Sequence, residues 1–180
     1  MKVIIAEKPS VAQQIAAVVG ATARKGGYIE GGGYAVTWAF GHLVGPAMPE
    51  AYGIEGFKRE NLPILPETFV LEPRRVKSGK EYKPDPGAVK QLAVLKELFF
   101  RAERIVVATD AGREGELIFR FIYHYLDCKT PFDRLWISSL TERAIREGLA
   151  AIRPGSEYAD LYLSHRSRRQ ADWHLGITAP

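Results

Sequence analysis

Apolar residues along the chain fall into two kinds of pattern. Consecutive apolar runs occur at Val3-Ile4-Ile5-Ala6, Ile105-Val106-Val107-Ala108 and Leu135-Trp136-Ile137. Short runs rich in β-branched residues read as strands buried on both faces. Helical spacing separates them. After the first run, Val11, Ile15, Val18 and Val19 share one helical face, with Pro9 near its start and Gly20 at its end. Before the second, Asp85-Pro86 supplies a cap and a first turn, and Val89, Leu92, Leu95, Leu98 and Phe99 form the apolar face. After the second, a helix is expected from about Glu114 to Leu126. After the third, Thr141 caps a helix carrying Ile145, Leu149 and Ile152. Repeated strand–helix alternation predicts an α/β fold built on a parallel sheet.

The remaining segments are less regular. Gly31-Gly32-Gly33 reads as a hairpin turn ahead of a strand from Tyr34 to Phe40. The Gly- and Pro-rich stretch from Gly41 to Pro66 reads as a long surface excursion, and Phe69-Val70-Leu71 as a further strand. Gly155 is a break, followed by a polar, arginine-rich helix running to Trp173. No internal repeat or low-complexity segment is present.

Size and composition narrow the picture only modestly. A chain of 180 residues, 46% hydrophobic and 26% charged, fits one globular domain or a domain with a short extension, and excludes global disorder. The single cysteine, Cys128, excludes an intrachain disulfide and a cysteine-only zinc cluster. It suits a reducing, cytoplasmic compartment. Lys2, Glu7 and Lys8 bring charge in too early for a signal peptide, and no apolar run reaches membrane-spanning length, so no membrane partner is expected. A net charge of +4 and a pI near 9.2 permit a nucleic-acid partner without requiring one.

Chemistry concentrates at the ends of two strands. Glu7 follows the first and Asp110 the second, with Glu114 and Glu116 within a turn of Asp110. Ligands of open parallel sheets bind beyond the carboxyl ends of the strands. If these two strands are neighbours, the carboxylates converge, and a cation must offset their repulsion. Oxygen ligands without His or Cys suit Mg²⁺, which keeps waters and takes up phosphate oxygens. Lys8 is placed to stabilise charge on such a phosphate. The plainer reading of Glu114 and Glu116 is that of acids favouring a helix dipole.

Other features carry less. The glycine run lacks the Lys-Ser/Thr ending and following helix of a phosphate loop. His42 reads as a packing or hydrogen-bonding residue, and His124, His165 and His174 show no metal-ligand spacing. Arg166, Arg168 and Arg169 cluster near Trp173, a combination that grips backbone phosphates and stacks on bases, or simply forms a solvated face. Arg113 either approaches a phosphate or pairs with Glu116.

Several strings carry a family resemblance. Ile5-Ala6-Glu7-Lys8-Pro9-Ser10 and Ala108-Thr109-Asp110-Ala111-Gly112-Arg113-Glu114-Gly115-Glu116 resemble the Toprim signature of type IA DNA topoisomerases. Gly41-His42-Leu43, Leu135-Trp136-Ile137-Ser138-Ser139 and Ala171-Asp172-Trp173-His174-Leu175-Gly176-Ile177 are similar to segments of the bacterial topoisomerase III branch. They occur in the family's order and span nearly the whole chain.

The resemblance implies a Toprim, Rossmann-like parallel sheet flanked by helices over residues 1–153. Residues 154–180 would open the following helical DNA-binding domain. It implies Mg²⁺ near Glu7, Asp110 and Glu114, with Glu7 and Lys8 as the catalytic pair. DNA, single-stranded or underwound, would be held by Arg113, Arg168, Arg169, Asp172 and Trp173. The implied reaction is ATP-independent cleavage, passage and rejoining of one strand through a tyrosine nucleophile. Two departures stand out. Gly112 occupies the second position of the family's Asp-x-Asp pair. None of Tyr28, Tyr34, Tyr52, Tyr82, Tyr123, Tyr125, Tyr158 and Tyr162 lies in the nucleophile motif. The chain is therefore expected to act together with the remaining domains of the same polypeptide and to be inactive alone. The competing readings are a stand-alone Toprim nuclease or primase-like protein, and a non-catalytic DNA-binding module. The stretch from Leu135 to Gly176 argues against the first, and retention of Glu7, Lys8, Asp110 and Glu114 against the second.

Overall fold

Val3, Ile4, Ile5 and Ala6 are completely buried, although alternate side chains of a strand point to opposite faces. That burial requires cover on both sides, and the computed structural model, which describes residues 1–54 and 59–178, supplies it. The first strand, β1 (Lys2–Ala6), leads into α1 (Pro9–Val19), whose C-cap Gly20 adopts φ +77°. A meander of β2 (Ala23–Arg24), β3 (Tyr28–Gly31) and β4 (Tyr34–Trp38) follows, with the glycine run turning the β3–β4 hairpin as expected. Gly31 and Gly32 also lie against the backbone of residues 19–22, where an added Cβ would come within 2.9 and 2.3 Å of carbonyl oxygens.

The excursion after β4 is more ordered than its composition suggests. It contains β5 (Val44–Pro46) and one-turn 3-10 helices at Pro49–Tyr52 and Arg59–Asn61, and it buries Leu43, Val44, Ala47 and Ile64. Residues 55–58 of that stretch lie outside the described residues. The strand expected at 69–71 is shifted to β6 (Leu71–Pro73), antiparallel to β5. A small separate hairpin follows, β7 (Arg75–Ser78) and β8 (Glu81–Pro84).

The second half alternates regularly. It runs α2 (Pro86–Arg101), β9 (Arg104–Ala108), α3 (Arg113–Tyr125), β10 (Phe132–Arg134), α4 (Glu142–Ala150), β11 (Arg153–Pro154) and α5 (Ala159–Thr178). Asp85 caps α2 by accepting from the Gly87 N–H at 2.9 Å, and Thr141 caps α4 by accepting from Ala144 at 3.2 Å. The strand expected at 135–137 pairs three residues earlier, with only the Leu135 N–H continuing the ladder, to Val107. A turn of 3-10 helix at Gly155–Tyr158 precedes the arginine-rich helix.

The main sheet has the order β11-β10-β9-β1-β4-β3-β2. Its four strands β10, β9, β1 and β4 pair in parallel, and the margins join by antiparallel pairing, β11 to β10, β3 to β4 and β2 to β3. The expected parallel α/β sheet is thus present, with antiparallel margins. Val3, Ile5, Ile105 and Val107 face one core with Leu92, Leu95, Leu98 and Phe99 of α2 and Leu117, Ile118, Phe121 and Ile122 of α3. Ile4, Ala6, Val106 and Ala108 face the other, with Ala12, Ile15 and Ala16 of α1 and Ile145 of α4. Each large aliphatic side chain so buried contributes about 1.5–3 kcal/mol. The chain leaves β1 toward β4 on one side, while β9 lies on the other. The carboxyl ends of β1 and β9 therefore border a topological switch point.

Candidate functional site

The register of β1 and β9 sets the site. Ala6 lies opposite Ala108, so the residues that follow emerge side by side from one edge of the sheet. The Asp110 backbone N–H donates to Glu7 Oε2 at 3.3 Å, and Lys8 Nζ stands 3.9 Å from Asp110 Oδ2. Glu7, Lys8 and Asp110 are thus brought together from positions about a hundred residues apart. Lys8 and Asp110 are both well exposed, leaving them open to a ligand.

The turn after Asp110 depends on glycine. A Cβ on Gly115 would stand 2.1 Å from the Asp110 carbonyl oxygen, so only glycine lets the first turn of α3 press onto the strand end. Thr109 Oγ1 donates to the Gly115 carbonyl at 2.7 Å and fastens the same contact.

Glu114 and Glu116 separate to opposite sides of this turn. Glu114 faces outward and is gripped by two imidazoles: His42 Nε2 meets Oε1, and His165 Nε2 lies 2.5 Å from Oε2. Burial pushes the Glu114 carboxyl up, but the bonds and charge of His42 and His165 outweigh it and hold the group below the ordinary carboxylate value. His42 Nδ1 is buried without a hydrogen-bond partner, so the ring is held through Nε2 on Glu114.

Glu116 turns inward and does not join the acidic edge. It is 1% exposed, bonded by Arg120 Nε at 2.8 Å, with Arg134 Nε at 3.4 Å as an ion contact rather than a directed bond. Arg134 is itself 1% exposed and spans the strand ends. It donates to the Val107 carbonyl at 3.2 Å, Thr109 Oγ1 at 2.8 Å and the Asp110 carbonyl at 2.7 Å. Burial lowers the pKa of Arg134, while Glu116 raises it in opposition. Glu116 is thus the counter-ion of a guanidinium that supports Asp110 from beneath. Its carboxylate is taken by Arg120 and Arg134, so among the described residues it forms no ion pair with Arg113, which stays exposed at the start of α3.

Along α5, Arg168, Arg169 and Asp172 are exposed. Trp173 is half-buried. Its indole N–H donates to the Ala47 carbonyl at 3.0 Å, and its ring meets Tyr52 and Phe69 edge-on. Sequence reasoning missed the clamp on Glu114 and the role of Arg134. His42 and His165 lie 72 and 51 residues from Glu114, and no spacing rule connects them. A charged residue abutting an apolar run was the one signal for Arg134.

Fold and site together define a Rossmann-like α/β domain with a carboxylate–lysine cluster at the carboxyl ends of two adjacent parallel strands. The Toprim domain model matches residues 2–140, and the chain belongs to the Toprim family. It is 46% identical over 179 residues to DNA topoisomerase 3 of Bacillus subtilis (strain 168), covering 98% of this chain and 23% of that protein. Against DNA topoisomerase 3 of Shouchella clausii (strain KSM-K16) it is 43% identical over 180 residues, again covering 98% and 23%. Among solved structures, the full-length topoisomerase I from Thermotoga maritima matches with a TM-score of 0.51 at 23% identity, over 84% of this chain and 21% of that one. The chain spans less than a quarter of the length of these relatives. Among the described residues, no helix is long and apolar enough to cross a membrane.

Proposed function

We propose that this chain is the Toprim portion of a type IA DNA topoisomerase of the topoisomerase 3 kind, acting on single-stranded or underwound DNA in the cytoplasm. The observation that carries the reading is the assembly of Glu7, Lys8 and Asp110 at one sheet edge. In this reading a tyrosine from elsewhere in the polypeptide attacks a backbone phosphorus, and the sugar oxygen leaves. Glu7 moves the proton at the reacting oxygens, and Lys8 holds the negative charge that builds on the phosphate. Rejoining is the reverse. No nucleotide is consumed, because the energy of the broken phosphodiester is kept in the tyrosine ester. In this reading residues 1–153 are the Toprim unit and 154–180 begin a helical DNA-binding domain, with the exposed Arg113, Arg168, Arg169 and Asp172 toward DNA, while Trp173 packs against Tyr52 and Phe69 and offers no free ring. Residues 179–180 lie outside the described ones.

The donor types suit Mg²⁺: Glu7 and Asp110 offer half-exposed and exposed carboxylates at one sheet edge, and Glu114, exposed on the following turn, would have to share an oxygen now bonded to His42 or His165. Among the described residues, no three His, Cys, Asp or Glu side chains converge enough to enclose an ion. Mg²⁺ typically keeps several waters and is bound through one or two carboxylates together with substrate phosphate. When bound, Mg²⁺ would supply charge neutralisation and polarise phosphate oxygens. Calorimetry on the chain alone is expected to show weak Mg²⁺ binding, weakened further by Asp110→Asn. Tight binding indifferent to that change would put the metal elsewhere.

The function is tested with negatively supercoiled plasmid. A polypeptide joining this chain to the remaining domains of a topoisomerase 3 should relax it with Mg²⁺ and without ATP. Residues 1–180 alone should leave it unchanged, since covalent catalysis stops without its nucleophile. Relaxation by the isolated chain, or by the longer polypeptide with divalent metal chelated, counts against the proposal.

A further inference from the structure

The β7–β8 hairpin is not part of the main sheet and forms a two-stranded ribbon of its own. An isolated ribbon of this size is marginal in water, and here its root is pinned. Arg74 donates from Nε to Asp85 Oδ2 at 3.0 Å, and the Asp85 N–H donates to the Arg74 carbonyl at 2.7 Å. The Arg74 guanidinium also lies over the Phe40 ring, 5.5 Å from its centroid, and Arg75 pairs with Glu72 at 3.1 Å. The Arg74 N–H bonds the Leu43 carbonyl, one residue from the His42 that grips Glu114. The ribbon is therefore rooted at the same edge of the fold as the acidic site.

Beyond that root, everything is exposed from Val76 to Pro84. The pairing register places Arg75 opposite Pro84 and Lys77 opposite Tyr82, and side chains alternate between faces. One face thus presents Arg75, Lys77, Tyr82 and Pro84, with no acid among them. Glu81 lies on the other face, paired with Lys83 at 3.3 Å. Lys77, and Lys80 in the turn after Gly79, pair with no carboxylate among the described residues. Gly79, at φ +65°, makes that tight turn. Tyr82 is 65% exposed and stands directly across from Lys77, within side-chain reach.

We infer that this face of the ribbon holds single-stranded DNA beside the acidic site, with Lys77 and Lys80 on backbone phosphates and the Tyr82 ring stacked on a base. Unspent cations track a phosphate backbone, and an exposed aromatic ring accepts any unpaired base. A duplex offers the phosphates but not the base face. That the strand is DNA rather than RNA rests on the proposed function; the lysine–tyrosine face itself does not.

The test is fluorescence anisotropy of the chain with a labelled oligothymidylate and a matching duplex, across a salt titration. Tyr82→Leu should weaken single-strand binding roughly tenfold, leave its salt dependence alone and leave duplex binding unchanged. Lys77→Ala should lower the slope of log affinity against log salt by about 0.7. Both positions are exposed, so thermal melting should match the unaltered chain and exclude misfolding as the cause. Binding within twofold of the unaltered chain in both variants overturns the inference. So does failure of the chain to bind the oligonucleotide, or a Tyr82→Leu loss that is equal on duplex. The catalytic reading fails separately: hairpin-dependent binding without relaxation by the longer polypeptide would remove that reading and keep the ribbon.

Discussion

Glu7→Gln, in a polypeptide carrying the nucleophilic tyrosine, should slow plasmid relaxation by about 10²–10⁴-fold while DNA affinity stays near its unaltered value. The substitution isolates one property. Glutamine keeps the length of the side chain and an oxygen able to accept the Asp110 N–H, now 3.3 Å away. It removes the capacity to take and return a proton. A loss confined to rate, with affinity intact, belongs to an interaction made in the transition state. Relaxation should be timed at saturating enzyme, beside a binding titration at the same salt. A variant that relaxes plasmid at nearly the ordinary rate would take Glu7 out of the catalytic chemistry. One that loses affinity in proportion to rate would make it a binding group instead.

The second large effect concerns stability. Arg134→Leu should destabilise the fold by about 3–5 kcal/mol, the range for removing one partner from a buried ion pair. Glu116, 1% exposed, would be left to Arg120 alone, the Asp110 carbonyl would lose its Arg134 donor, and the Val107 carbonyl would keep only the Leu135 N–H. For a domain of this size that corresponds to a fall in Tm of roughly 6–20 °C. Arg134→Lys should cost less, since it keeps the charge but cannot span Thr109 and Asp110 together. Melting temperatures of the two variants decide the matter. A Tm for Arg134→Leu within a degree or two of the unaltered chain would mean that the network holds nothing in place.

What could be read from the chain beforehand was what its physics keeps local. The start of α1 at Pro9, the αL glycine at its end and the caps Asp85 and Thr141 involve neighbours within four residues. The turn between β3 and β4 is written in three consecutive glycines. Two apolar runs that each end in an acid made the meeting of Glu7 and Asp110 legible on the condition that the strands pair, and β1 and β9 do. The position of β10 did not follow, because Phe132-Asp133-Arg134 looks too polar for an inner strand. Its charges are matched at long range, Asp133 by Arg104 and Arg134 by Glu116. The β7–β8 ribbon escaped notice for a related reason. Both of its faces are mostly polar, so no alternation marks it, and only Ser78-Gly79 hints at a turn.

The double grip on Glu114 has a thermodynamic consequence. One imidazole comes from the loop after β4 and the other from α5, so a single carboxylate joins two elements otherwise distant in the chain. An oxygen that Glu114 gives to a cation is an oxygen withdrawn from a histidine. Under the proposed function, ion occupancy and the seating of α5 against α3 would be linked equilibria, and linkage is reciprocal. Were Glu114 to take the proposed Mg²⁺, loosening α5 would favour the ion and the ion would loosen α5 by the same free energy.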